Sequence, residues 1–557
     1  MYSRVLHPRR KTLGMIGVSL ATAVIALPAS ALPASALPAS ARPASALPAS
    51  ARPASTAVAG GAPVDAGGKQ THEVDTWAAS PADIGGVYSD TTVRNIVHTN
   101  IGGSGLRVRL SNAFGSKPAT FDDVQVGRQS SGAATVPGSN RRVTFSGQTS
   151  VTIPKGAEAL SDPLPGTVSP SAKLAVSVHF TGFTGEATGH PDAQQDNYAS
   201  PAGDVAGNDN PSAYFPNTYG TWYFLDGLVL DAPKQTGEVV ALGDSITDGY
   251  RSTVNANRRW PDDLARRLLA LPAPQQLSVA NEGISANDVT NDRCPGCGVS
   301  AESRLDRDVL SQPGASTVIF LEGINDIGSG AVTSADQLIA ADKQIIARTH
   351  ARGLRILGGT LTPIKGAGFT AQQQQIREAV NQWIRTSGAF DGVVDFDKAT
   401  RDPVDPQAFL PAYDSGDHLH PNDAGYQAMA NAVDIAALRQ PSTTTLSASP
   451  NAGVGVAGVA LFATIKPTTA GGTVAFTDNT TPIPGCAAIP VTTGAANCVA
   501  TFTTGGPHTI TATYTGDPTH TGSTTSTALT VTTTPNVLQI ALGYLISFAH
   551  TFHLFGL

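Results

Sequence analysis

Five short apolar runs, separated by segments of helical periodicity, constrain the fold of residues 236–440 more than any other feature of the chain. The runs are Val239–Leu242, Leu277–Ala280, Thr317–Leu321, Leu354–Leu357 and Gly392–Phe396. Between them, apolar residues recur at helical spacing, as at Ile376, Val380, Trp383 and Ile384. This alternation predicts a mainly parallel sheet that helices cover on both faces. In such sheets, functional residues follow the carboxyl ends of the strands.

Polar residues that can carry chemistry stand at those positions. Ser245 lies on a glycine-flanked turn after the first run, where its hydroxyl and its own N–H can face a substrate. Gly283 ends the second run, and the lack of a side chain lets its N–H approach a ligand closely. Asn325 follows the third run and offers a carboxamide donor. His420 stands three residues after Asp417, a carboxylate that can orient it as a general base.

Two alternatives concern the neighbours of these residues. His418 competes for the role of base because it is adjacent to Asp417, but it lacks the D-x-x-H spacing. Asp244 and Asp248 flank the serine, and we expect them to hydrogen-bond the turn rather than to take part in catalysis.

The motifs GDSIT, N-E-G, G-I-N-D and D-H-L-H occur in that order, and together they resemble the SGNH (GDSL) hydrolase family over residues 236–440. The resemblance implies a three-layer α/β/α flavodoxin-like fold and the hydrolysis of carboxylic esters through an acyl-enzyme. It implies that Ser245 is the nucleophile, His420 the base and Asp417 its orienting carboxylate. The Ser245 N–H, the Gly283 N–H and the Asn325 side chain would form the oxyanion hole. This reaction requires no cofactor and no metal.

Residues 71–235 consist of short segments that alternate with period two, such as Leu106–Leu110, between glycine, proline and asparagine turns. This pattern predicts an antiparallel β-sandwich. Its aromatic residues either stack on sugars or fill the core, and the core is favoured. They include Trp77, Phe114, Trp222, Tyr223 and Phe224. Together with residues 236–440, this region resembles exported actinobacterial acylhydrolases and arylesterases.

Residues 443–533 are rich in Thr, Gly and Ala and alternate in short segments, which predicts a second, smaller β-sandwich. The segment resembles bacterial Ig-like surface modules. A spacer or a carbohydrate-binding role fits it, and the spacer is favoured. The apolar tail, residues 534–557, is long enough for a membrane span, but an amphipathic end lying on a surface fits equally.

A basic head followed by the uncharged run Thr12–Leu27 predicts a signal peptide within residues 1–30, with an uncertain cleavage site. Residues 26–70 contain Ala/Pro/Ser repeats that predict an extended linker. In a secreted chain, we expect the cysteines of each close pair to form a local disulfide, one of three connectivities. The pairs are Cys294 with Cys297 and Cys486 with Cys498.

A net charge of −7 excludes a chain-wide basic surface for nucleic acid. The leading hypothesis is a secreted serine esterase that acts on acylated carbohydrates, with acylated polysaccharide among the candidates, or on small esters. The alternatives are an extracellular lipase or phospholipase of the same family, and a cell-surface glycan-binding protein with a vestigial hydrolase core. The tail or the Ig-like module would provide any membrane or cell-wall association.

Overall fold

The computed structural model describes residues 71–214, 220–233, 236–449, 452–453 and 459–532. The predicted signal peptide, the repeat linker and the apolar tail therefore lie outside the described residues. Among the described residues, no helix combines the length and the apolar character that crossing a bilayer requires. The described elements form a β-rich group, an α/β group and a second β-rich group, in that order along the chain.

The first group is an antiparallel sandwich of two sheets. One sheet has the order β1-β13-β3-β8, with β9 on β3, and the other has the order β11-β2-β10-β4-β5, with β12 on β10 and with β6 and β7 on β4. The strands are β1 (Thr71–Ala78), β2 (Ala82–His98), β3 (Gly103–Ser111), β4 (Ala119–Ser131), β5 (Ala134–Thr135), β6 (Arg141–Arg142), β7 (Val151–Ile153), β8 (Glu158–Leu160), β9 (Leu164–Val168), β10 (Lys173–Pro191), β11 (Tyr198–Ala199), β12 (Thr221–Tyr223) and β13 (Leu225–Pro233). Trp77, Trp222, Tyr223 and Phe224 are buried in its core, as the core interpretation predicted. Phe114 is only partly buried, and its ring lies 5.0 Å from the Arg307 guanidinium.

The second group is built on a parallel sheet of the order β15-β14-β16-β17-β18. The strands are β14 (Glu238–Gly243), β15 (Ser278–Gly283), β16 (Ala315–Leu321), β17 (Arg355–Gly359) and β18 (Gly392–Val394). The helices are α1 (Ser245–Asp248), α2 (Trp260–Leu269), α3 (Ala301–Leu305), α4 (Ile324–Ser329), α5 (Ala335–Ala351), α6 (Ala371–Thr386), α7 (Phe396–Thr400) and α8 (Asp423–Ala432). Every residue of β14 is buried, so both faces of the sheet are covered. The strand order is the flavodoxin-like one, and the predicted fold class is confirmed.

Helix α6 shows how the local sequence produces these elements. The hydroxyl of Thr370 accepts a hydrogen bond from the Gln373 N–H, and the Gln373 side chain accepts one from the Thr370 N–H. This reciprocal capping satisfies two amide groups that the first helical turn leaves free. Ile376, Val380 and Ile384 are buried against the sheet, as their spacing predicted.

The third group is a smaller sandwich with the sheets β19-β21-β25 and β20-β27-β26-β22-β23, in which β24 pairs with β22. The strands are β19 (Thr443–Ala448), β20 (Ala452–Gly453), β21 (Val459–Lys466), β22 (Thr473–Asp478), β23 (Thr481–Pro482), β24 (Ile489–Pro490), β25 (Ala495–Ala500), β26 (Gly506–Tyr514) and β27 (Ser523–Thr532). Both predicted disulfides are present. Cys294–Cys297 lies in the α/β group and Cys486–Cys498 in the third group.

The first sandwich is joined directly to the edge of the parallel sheet. Ala79, just after β1, forms a parallel bridge with Asn281 of β15. The Asp75 N–H donates to Glu238 at 2.9 Å, and the Asn100 side chain donates to the Val279 carbonyl at 2.5 Å. β15 is the edge strand, and the sandwich therefore covers an edge that would otherwise leave backbone groups unpaired.

Candidate active site

The turn that carries Ser245 follows β14 directly and is fixed by its own side chains. The Asp244 carboxylate accepts a hydrogen bond from the Ile246 N–H at 2.9 Å and caps the short helix α1. Burial raises the pKa of Asp244 to about 7. The helix ends at Gly249, whose φ of 91° suits a residue without a side chain. Ser245 is 7% exposed, and no described residue accepts a hydrogen bond from its N–H.

Ser245, His420 and Asp417 form one hydrogen-bonded chain. The Ser245 Oγ lies 2.9 Å from His420 Nε2, and His420 Nδ1 lies 2.9 Å from Asp417 Oδ2. Because a carboxylate only accepts hydrogen bonds, the Nδ1 proton points at Asp417 and Nε2 is left as the acceptor for the serine hydroxyl. This arrangement can remove a proton from Ser245.

The surroundings of the chain keep the imidazole neutral and the carboxylate charged. Burial lowers the pKa of His420, although the hydrogen bond and charge of Asp417 oppose this. Burial alone would raise the pKa of Asp417, but the N–H groups of His420 and Leu419 and the His420 ring hold it well below its usual range. The Arg251 Nε also donates to Asp417 at 3.3 Å, and the Tyr250 ring packs edge-on against the imidazole, with a centroid distance of 4.9 Å.

Gly283 lies directly under the serine turn. A Cβ atom at this position would collide with the backbone nitrogen of Asp248, so the glycine permits the close approach of α1 to β15. Its N–H donates to the Asn281 side chain at 3.0 Å. The next amide, that of Ile284, donates to Gly243 of β14. Successive amides in a strand point to opposite sides, so the Gly283 N–H is directed away from the strand that leads to Ser245.

The loop after β15 contains an amide that the sequence does not single out. Ala286 has a φ of 63°, and its N–H donates to no described residue. Alanine is uncommon at positive φ, so no sequence signal points to this residue. The Asn325 side chain donates to the Asn287 carbonyl at 2.9 Å, which uses one of its two amide hydrogens and ties α4 to the same loop.

Arg304 binds the carboxyl ends of β14 and β15 beneath the site, and no sequence motif points to it. Its guanidinium is fully buried and donates to the carbonyls of Gly243, at 2.9 Å, and Glu282, at 2.7 Å. It also donates to the Asn287 side chain and to the Ser80 hydroxyl of the first sandwich, both at 2.9 Å. A buried arginine far from the motifs carries no distinctive pattern, so only the structure reveals this contact.

His418, the alternative base that the sequence offered, lies apart from the serine. His418 is exposed and its Nδ1 pairs with Asp414 at 2.6 Å, so it does not contact Ser245. In the described part of the chain, no group of three or more His, Cys, Asp or Glu side chains is arranged to hold a metal ion.

Comparisons with known proteins agree with this architecture. Residues 241–428 match the model of the GDSL-like lipase/acylhydrolase family, and residues 444–534 match that of the bacterial Ig-like domain, group 3. No curated protein matches the chain.

Solved structures similar to about a third of the chain include several esterases. One is the acetylxylan esterase Axe2 from Geobacillus stearothermophilus (21% identity, 36% of this chain and 94% of that chain, TM-score 0.28). Another is the aryl esterase of M. smegmatis (16% identity, 35% of this chain and 96% of that chain, TM-score 0.29). A third is the carbohydrate acetylesterase Est24 from Sinorhizobium meliloti (14% identity, 35% of this chain and 96% of that chain, TM-score 0.29).

The α/β group and the matched family model place the protein among the carboxylic ester hydrolases. It is a multidomain chain that contains a GDSL-like lipase/acylhydrolase domain, preceded by a β-rich region and followed by a bacterial Ig-like domain.

Proposed function

We propose that the protein is a secreted serine esterase that cleaves acyl groups from carbohydrates or from small esters. The observation that carries this proposal is the chain of hydrogen bonds from Ser245 through His420 to Asp417. We take residues 71–235, 236–440 and 443–533 as its three domains. The two disulfides and the Ig-like module support an extracellular location, to which the predicted signal peptide would direct the chain. The Ig-like module would hold the enzyme near a cell wall or a glycan.

In the acylation step, His420 Nε2 takes the proton of Ser245 as the Oγ atom attacks the ester carbonyl carbon. The C–O bond to the alcohol then breaks, and the alcohol leaves with the proton from His420. In the second step, His420 removes a proton from water and the water oxygen attacks the acyl carbon. The bond from that carbon to Ser245 Oγ then breaks, His420 returns the proton to Oγ, and the acid is released. Asp417 holds the imidazole in the required tautomer and stabilises its charged form.

The negative charge that develops on the carbonyl oxygen needs hydrogen-bond donors. The Ser245 N–H and the second amide hydrogen of Asn325 are suited to this role, because no described residue accepts the former and the Asn287 carbonyl uses only one hydrogen of the latter. The sequence points to Gly283 as the third donor. We propose Ala286 instead, because the Gly283 N–H is engaged with Asn281 and the Ala286 N–H has no described acceptor.

The rim of the site favours a polar alcohol over a long acyl lipid. Arg251, Asp192 and Ser285 surround the catalytic chain with charged and hydroxyl groups. The exposed large apolar side chains among the described residues, Phe183, Val254, Val393, Val404 and Phe462, are far apart in the sequence.

The test compares S245A and H420A with the unchanged protein in the hydrolysis of p-nitrophenyl acetate. Each substitution removes a reacting group, and we expect kcat to fall by about 10⁴-fold or more. H418A is the matched control, because this histidine lies two residues from His420 but pairs with Asp414, and its kcat should stay within about twofold. Circular dichroism checks that each variant is folded. Full turnover by S245A would refute the assignment.

A panel of esters tests the substrate class. Acetylated xylan and short acyl esters should be cleaved with a higher kcat/KM than long-chain and phospholipid esters. Preference for the long-chain esters would replace the carbohydrate esterase with a lipase that uses the same residues.

A further inference from the structure

His190 is a buried histidine that the proposed mechanism does not use, although it contacts the turn that carries the nucleophile. It belongs to β10 of the first sandwich and is 2% exposed. Its Nδ1 lies 2.8 Å from the Ser80 carbonyl oxygen, and its Nε2 lies 3.0 Å from Asp248 Oδ1, at the end of α1. The sandwich therefore contacts the catalytic turn through this side chain.

The partners of His190 determine where its protons are. A carbonyl oxygen only accepts hydrogen bonds, so Nδ1 carries a hydrogen and donates it to Ser80. A neutral ring of this tautomer would then present a lone pair to a carboxylate at 3.0 Å. The 3.0 Å contact is therefore a hydrogen bond with one proton between Nε2 and Oδ1, and both groups are buried.

The other oxygen of Asp248 continues the connection into the loop after β15. Asp248 Oδ2 accepts hydrogen bonds from the Ser285 N–H at 3.1 Å and from the Ser285 hydroxyl at 2.8 Å. The residue after Ser285 is Ala286, which has the unused amide, and Asp248 is the last residue of the helix that begins with Ser245. Asp248 thus holds the loop amide and the nucleophile at a fixed separation.

We infer that His190 is a positioning residue of the esterase, supplied by the first sandwich, which fixes the Ala286 N–H relative to Ser245 through Asp248 and Ser285. The inference rests on the proposed function, because it concerns the oxyanion donors of that mechanism. It assigns the sandwich a part in catalysis: the hydrolase domain alone contains Asp248 and Ser285 but not the group that orients them.

The inference predicts a kinetic signature that a purely structural role would not produce. An oxyanion donor binds its oxygen more strongly in the transition state than in the ground state, so its displacement lowers kcat more than it changes KM. A misplacement of about 1 Å can cost about 100-fold. We expect H190A and D248A to lower kcat by about 10- to 100-fold while KM stays within about threefold.

D248N is the conservative variant that separates geometry from folding. An asparagine oxygen can accept both hydrogen bonds from Ser285, and its NH₂ group can donate to the lone pair of a neutral His190. D248N should therefore recover most of the kcat that D248A loses. Because both residues act along one chain, the double variant H190A/D248A should be no slower than the slower single variant by more than about twofold.

H179Q is the control in the same strand. His179 is also buried in β10, and its Nδ1 pairs with Asp122 at 2.6 Å, but no contact connects it to Asp248. Its kcat should match that of the unchanged protein. If H190A does not fold, the pair D248A and D248N gives the answer, because Asp248 lies outside the core of the sandwich.

Two results would overturn the inference: a folded H190A or D248A with kcat within about twofold of the unchanged protein, or a D248N variant as slow as D248A. S245A is measured beside them. Loss of turnover in S245A together with full turnover in H190A would reject only the positioning role, whereas turnover in S245A would reject the esterase mechanism itself.

Discussion

The two β-sandwiches that flank the parallel sheet differ in what they contact. The first sandwich provides Ser80 to Arg304 and His190 to Asp248, both beside the nucleophile turn. The second meets the hydrolase domain around Gln440, whose N–H donates to the Thr519 carbonyl at 2.7 Å and whose carbonyl accepts from the Thr521 N–H at 2.8 Å.

These contacts lie at opposite ends of the sheet. Gly237, which borders Thr519, immediately precedes β14, whereas Ser245 lies two residues after the end of the same strand. Two sandwiches of one chain therefore differ in their contacts with the same active site. The first is part of the site's support, and the second is an appended module. Fold class alone does not distinguish these cases.

The largest expected effect comes from removing each sandwich in turn. Without residues 71–235, Arg304 and Glu282 lose the Ser80 hydroxyl and the edge of β15 is uncovered. Buried polar groups without their hydrogen-bond partners and an uncovered sheet edge are destabilising, so we expect loss of soluble protein and a kcat reduced by more than about 100-fold. Without residues 441–557, kcat should stay within about twofold. Both truncated proteins are compared by soluble yield and by their hydrolysis of p-nitrophenyl acetate. Normal turnover by residues 236–557 would show that the first sandwich is not needed for activity.

An intermediate effect is expected from one arginine at each boundary. R304A removes the ion pair with Glu322 and leaves the strand-end carbonyls without their donor in a buried site, and we expect a loss of about 3–5 kcal/mol in the free energy of unfolding. R439A removes a partly exposed contact with the Gln275 carbonyl at 3.1 Å and should cost less than about 1 kcal/mol. Denaturant unfolding measures both. Equal losses would contradict the expected difference between the buried Arg304 and the partly exposed Arg439.

The smallest effect is a shift in the pH dependence of activity. His420 acts in its neutral form, and burial lowers its pKa below the ordinary value of 6.5, so the acid limb of kcat/KM should lie below pH 6.5. The positive charge of Arg251 lowers this pKa further. R251A should therefore move the acid limb to higher pH, because the imidazole then keeps its proton to a higher pH. R439A, at the other boundary, should leave the profile unchanged, and a shift of the limb to lower pH in R251A would contradict the argument.

Much of the fold could be predicted because its determinants are local. Val239–Leu242 lies within β14 and Thr317–Leu321 within β16, since buried parallel strands are continuous apolar runs. The spacing of Ile376, Val380 and Ile384 predicted the buried face of α6, because residues four apart lie on the same side of a helix. The two disulfides followed from the short separations of their cysteines.

Only the site residues that belong to a sequence motif could be predicted. Ser245, Asp417 and His420 stand in recognisable patterns, and the structure brings their side chains together, although their catalytic roles stay a proposal. The contacts of Ser80 and His190 have no such pattern. A polar residue in a strand looks the same in sequence whether it faces solvent or another domain, and its partners are 224 and 58 residues away. Only the tertiary structure shows which case applies.

The bond between Asp75 and Glu238 has a consequence for biosynthesis. A ribosome delivers Asp75 first, and the carboxylate that receives its N–H arrives 163 residues later. The two strands that flank β1 also come late in the chain: β13 begins at residue 225 and β15 at residue 278. A nascent chain that ends before residue 225 therefore contains β1 without either of the strands that flank it.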